Sequence, residues 1–76
     1  MQYHGVKFIE TWRGPDVLEV SLAPNRFGAD EGVLIVRQEA EAIGLEFREH
    51  RKRGIAMLRN WLDKYIEHNR LSATVH

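Results

Sequence analysis

The sequence predicts a small α+β domain in which helices cover one face of an antiparallel sheet, in the order ββαβα. Three observations carry this. Residues 6–22 alternate apolar and polar side chains about a Gly14-Pro15-Asp16 turn, as a β-hairpin does. Residues 53–69 repeat their apolar side chains at helical spacing. A chain of 76 residues has room for one hydrophobic core, so hairpin and helix must share it, and residues 1–76 read as a single domain.

The hairpin register follows from which residues must be buried together. A two-residue loop would set Glu10 opposite Glu19 and scatter the apolar residues over both faces. A three-residue loop sets Trp12 against Leu18 and Phe8 against Leu22, with Val6 and Val20 on the same face. Lys7, Thr11, Glu19 and Ser21 then share the other face, with Ile9 the exception. A half-buried sheet needs one apolar face, so the second register is expected. It asks Asp16 to adopt a left-handed backbone, which Asp tolerates better than most residues.

The stretch APNRFGADEG, residues 23–32, holds a proline, two glycines and Asn25, and reads as a loop. Asp30 is a suitable N-cap for a helix starting at Glu31. In VLIVRQEAEAIGLEF, Val33, Val36, Ala40 and Ile43 recur at three and four, and Gly44 stands where a helix-terminating glycine belongs. A helix over 31–43 is expected, then a strand over 45–49 from the alternation of Leu45 and Phe47 with Glu46 and Arg48. Val33 to Val36 alone also fits a buried strand, and the alternative that residues 33–37 are strand stays open. One continuous helix from 31 to 70 is rejected because its apolar seam fails after Phe47.

The last helix is expected over Arg53–Asn69. Ile55, Leu58, Leu62, Tyr65 and Ile66 fall on one side, and Met57 and Trp61 widen the apolar arc to about 180°. Arg59 and Asp63 make an i,i+4 pair on the wet face. Residues 71–76 are expected to fray.

Composition removes several function classes. There is no cysteine, hence no disulfide, no thiolate nucleophile and no cysteine zinc site. Eleven basic residues balance eleven acidic ones, so no global field favours polyanions. The opening residues lack a secretory pattern and no run approaches the roughly 18 apolar residues of a membrane span, so a cytoplasmic location is expected. His4, His50, His68 and His76 have no pairwise spacing suited to a zinc-binding helix face, and no metal or cofactor is expected.

Two patterns point to binding. Met57, Trp61 and Tyr65 on the last helix, with Arg26 and Phe27 in the 23–32 loop, are residue types that serve as interface anchors. The expectation is a non-enzymatic protein-interaction module that self-associates as a homodimer or joins a larger assembly, which would also help so small a chain reach adequate stability. The alternative is nucleic-acid binding. EHRKRG and its flanks concentrate Arg48, Arg51, Lys52, Arg53 and Arg59 at a strand-to-helix junction, where they could meet phosphates. A third reading, a small enzyme using Glu10 and a histidine, rests on one carboxylate among the apolar residues of the first strand.

Overall fold

The structure is a computed structural model that describes the backbone of residues 1–75 and the side chains of residues 1–70. It is an α+β domain with strands β1 (Gln2–Tyr3), β2 (Val6–Trp12), β3 (Val17–Leu22) and β4 (Gly32–Val36), then helices α1 (Arg37–Ala42) and α2 (Phe47–Val75). The strands form one antiparallel sheet in sequence order, β1-β2-β3-β4. The tail expected to fray, 71–76, begins in the last turns of α2 and ends outside the described residues.

The central hairpin has the expected register: Trp12 pairs with Leu18, Glu10 with Val20 and Phe8 with Leu22. Arg13 N–H donates to the Val17 carbonyl at 2.8 Å and closes a three-residue loop. The left-handed strain expected at Asp16 is absent; Gly14 takes the unusual angle instead, at φ 152°. A glycine meets that demand without the Cβ clash that Asp would suffer. The short β1–β2 connection turns through His4 and Gly5, both at positive φ, as a two-residue hairpin turn requires.

The segment from 31 to 49 differs from the expected helix-then-strand. Residues 32–36 are a strand, as the open alternative had it, and the helix that follows is only Arg37–Ala42. Pairing with β3 decides this. Val33 lies opposite Val20 and Ile35 opposite Leu18, so two β-branched side chains join the core face of the sheet. Asp30 therefore caps no helix. Gly44 does end α1, at φ 71°, with Leu45 N–H donating to the Ala40 carbonyl at 2.9 Å and Gly44 N–H to Glu41 at 3.0 Å. That pair of bonds is a Schellman closure.

The expected strand over 45–49 does not form; α2 already starts at Phe47, six residues before Arg53. Phe47 packs on the core as the first inward residue of the helix. Ile55, Leu58 and Leu62 then bury against Val6, Phe8, Leu18, Val20, Leu22 and Ile35, all on one sheet face. Each such buried aliphatic side chain contributes roughly 1.5–3 kcal/mol.

Helix α2 outlasts the sheet beneath it, and Glu67 to Arg70 are exposed. The radius of gyration is 14.4 Å, against about 11 Å for a compact chain of this length. No helix among the described residues is long and apolar enough to cross a membrane.

Candidate interaction surface

Among the described residues, six large hydrophobic side chains are exposed: Met1, Ile9, Trp12, Leu34, Ile43 and Met57. Three of them gather at one place, along the outer edge of β4. Leu34 sits on β4, Ile43 at the end of α1 and Met57 on α2, exposed by 59, 60 and 67 %. They border an open groove of about 480 Å³ whose other walls are Val33, Ile35, His50 and Gly54. Glu39 of α1 and Arg53 of α2 stand at its margin.

Gly54 shapes this groove. It stands inside a long helix, where glycine costs about 1 kcal/mol relative to alanine. A Cβ there would overlap Ile35 Cδ1 and touch Val33 Cγ2 at 3.7 Å. Lacking it, α2 comes down close on β4, and the next turn carries Met57 out past the sheet edge. Across the groove, His50 Nε2 lies 4.0 Å from Glu39 Oε2, linking α2 to α1. Arg53 has no ion-pair partner among the described residues.

The other candidate anchors lie elsewhere. Trp61 and Tyr65 stack on each other at 5.1 Å and pack against the core. The Tyr65 hydroxyl donates to the Phe27 and Gly28 carbonyls at 3.2 and 3.3 Å, tying the 23–32 loop to α2. Phe27 folds back onto the core, with the Arg26 guanidinium 4.8 Å from its ring. Thus Met57 stands at the groove, while Trp61, Tyr65 and Phe27 hold the loop in place. Asn25 organises that loop. Its amide nitrogen donates to the Ala23 and Ala29 carbonyls, and its oxygen accepts from the Phe27 and Ala29 N–H groups. All four bonds an amide side chain is suited to make here are satisfied.

The basic run lies on α2, not at a strand end, with Arg48 to Arg53 in its first two turns and Arg59 in its fourth, and the helix distributes it. Arg51 Nε donates to Glu10 Oε1 at 2.6 Å. Lys52 pairs with Glu49 at 3.6 Å. The Arg59 guanidinium stands 5.6 Å from the Tyr3 ring. Cations near a helix N-terminus oppose its dipole, and the neighbouring carboxylates of Glu10, Glu39 and Glu49 offset that cost. Only Arg48 and Arg53 of the run have neither an ion-pair nor a ring partner among the described residues.

Asp63 does not pair with Arg59 as the helix spacing suggested. Its carboxylate accepts from the Tyr3 hydroxyl at 2.8 Å and from His4 Nε2 at 2.7 Å. The hydrogen bond with His4, then that from Tyr3, hold the Asp63 carboxyl below its ordinary range. The bond to Asp63, followed by partial desolvation and the Asp63 charge, raises the Tyr3 phenol above 10.0. This cluster fastens the β1–β2 turn to α2. Glu10 stands at the sheet margin bonded to Arg51. No three metal-ligating side chains converge among the described residues, and His76 lies outside them.

Leu34, Ile43 and Gly54 were not singled out by sequence. Read as a helix, residues 31–43 hide the edge strand that gives Leu34 its position. The one available signal was a glycine inside an otherwise helical pattern, which points to a close backbone approach. Compared with known protein families, curated proteins and solved structures, the chain has no match in any of the three.

Proposed function

We propose that the protein is a non-enzymatic interaction module that acts as a homodimer, and that its contact surface is the groove of Leu34, Ile43 and Met57 beside β4. The observation that carries this reading is an unpaired strand edge flanked by exposed apolar side chains, Leu34 on the open face of the sheet and Ile43 and Met57 on its helix side. Single exposed hydrophobic residues are ordinary, but a cluster rimmed by charge marks a contact site. The edge adds main-chain donors and acceptors to the apolar surface. Of the residues first considered as anchors, Met57 remains at the centre of this surface.

The nucleic-acid alternative loses ground on geometry. Arg51 is engaged by Glu10 and Lys52 by Glu49, so the run offers fewer free cations than its sequence suggests. The exposed aromatic beside the run, Trp12, has one ring face stacked on Phe47 at 5.6 Å, which leaves it less free for base stacking.

Sedimentation velocity tests the reading. The chain should sediment at twice 8.9 kDa at tens of micromolar. Met57→Glu should sediment as a monomer with an unchanged far-ultraviolet circular dichroism spectrum, since this side chain is 67 % exposed. A wild-type monomer at several hundred micromolar contradicts the homodimer.

A further inference from the structure

We propose that two copies join along β4, antiparallel, with Leu34 of each copy paired to Leu34 of the other on a twofold axis. The two four-stranded sheets then become one sheet of eight. This inference rests on the homodimer reading above and specifies its geometry.

The direction of the backbone groups comes first. The β3–β4 ladder is fixed at both ends: Leu22 N–H donates to the Glu31 carbonyl at 3.1 Å, and Arg37 N–H to the Asp16 carbonyl at 2.9 Å. Antiparallel pairs alternate between bonded and non-bonded. With Val33 opposite Val20 and Ile35 opposite Leu18, residues 31, 33, 35 and 37 direct their peptide groups toward β3. Gly32 and Leu34 direct theirs outward, where the sheet has no further strand.

Symmetry and strand length together set the register. A twofold axis places one residue of an antiparallel pair opposite its own copy; centred on an outward-facing residue in mid-strand, it lets that residue exchange both N–H···O=C bonds with its copy and leaves strand on either side to pair. Leu34 is the middle residue of β4 and faces outward. This register sets Gly32 of one copy opposite Val36 of the other, so no side chain from Gly32 presses on the point where α1 leaves the sheet.

The chemistry suits a second copy. The groove margin carries Glu39 on α1 and Arg53 on α2, and a twofold axis brings the α1 margin of one copy toward the α2 margin of the other. Opposite charges then face each other across the contact. Formal net charge is zero, so the copies do not repel. Ile43 and Met57, otherwise in water, gain apolar cover on the helix side of the joined sheet.

The absence of cysteine allows a clean test. Leu34→Cys places two thiols on residues whose Cα atoms would be about 5.5 Å apart, on the open sheet face. Ile9→Cys, exposed on the same face but on β2, is the control. A short thiol-specific cross-linker should couple Leu34→Cys chains at least tenfold faster than Ile9→Cys chains at equal concentration. Leu34→Pro removes an outward N–H without touching the β3 ladder, a position where edge strands accept proline; it should remain folded and sediment as a monomer. A wild-type dimer in which Leu34→Pro stays dimeric and Leu34→Cys couples no faster than Ile9→Cys overturns the β4 pairing and leaves the homodimer reading standing. A wild-type chain that is monomeric throughout overturns both.

Discussion

The two outer edges of the sheet are treated differently. On the β2 side, β1 covers the first residues, and the Tyr3 and His4 side chains clip that strand to Asp63 of α2. Further along, where β1 has ended, Glu10 binds Arg51, and Trp12 stacks on Phe47 at 5.6 Å with the Arg37 guanidinium 4.6 Å from that ring. Charge and bulk guard this edge, as natural sheets guard edges against unwanted pairing. At the β4 edge the guard is slighter: the Glu31 carboxylate accepts from the Gly32 N–H at 3.1 Å, at the start of the strand. Its outward peptide groups stand beside Leu34, Ile43 and Met57. One edge is closed by the chain itself, and the other is left in the form a partner strand would complete.

Three perturbations sharpen that contrast. The largest effect is expected at Gly54, beneath the open edge. Gly54→Val forces side-chain atoms into the terminal methyl of Ile35, a core residue that is 2 % exposed. Overpacking of this kind costs about 1–3 kcal/mol, measurable by urea unfolding, and lifting α2 from β4 should weaken dimerisation in parallel.

A smaller effect is expected at the guarded edge. Arg51→Gln removes the partner of Glu10, and a half-exposed ion pair of this type contributes about 0.2–1 kcal/mol. Urea unfolding should show that loss with no change in sedimenting mass. If mass changed as well, the two edges would not be independent.

The smallest effect concerns pH. The Asp63 carboxyl is lowered in the folded chain, so its contribution is present above the ordinary carboxylate value of 3.8 and is lost as pH falls through the depressed one. The Tyr3 phenol is raised, so its contribution is full below 10.0 and is lost as pH rises through the elevated value. Asp63→Asn should flatten the acid limb of a thermal-unfolding profile below pH 3.8 and leave sedimenting mass at neutral pH unchanged.

The same contrast separates what the sequence shows from what it conceals. The hairpin is legible because its two strands are local and one register alone gives an apolar face; Phe8, Leu18, Val20 and Leu22 are buried together as expected. Gly44 is legible because helix termination is local chemistry. The start of α2 is not. Two of its inward positions, Arg51 and Gly54, hold residues that break an apolar stripe, and each is there for a tertiary reason: one meets Glu10, the other admits Ile35. Val33 to Val36 satisfied helix and strand periodicity alike, and pairing with β3 settled the matter from a distance in sequence. The candidate site inherits that gap. Met57 could be seen as an apolar residue at a helix rim, but Leu34 becomes an edge residue only once β4 exists.

Amide hydrogen exchange followed as a function of protein concentration tests the central claim most directly. The Leu34 N–H points outward from β4, and the Glu10 and Trp12 N–H groups point outward from β2, where the alternation fixed by Arg13 and Val17 leaves them without a strand partner. Protection at Leu34 should rise with concentration as dimer forms, while Glu10 and Trp12 exchange at a constant rate. Fast exchange at Leu34 at every concentration, or concentration-dependent protection at Glu10 and Trp12 instead, would contradict an open β4 edge that meets a second copy of the chain.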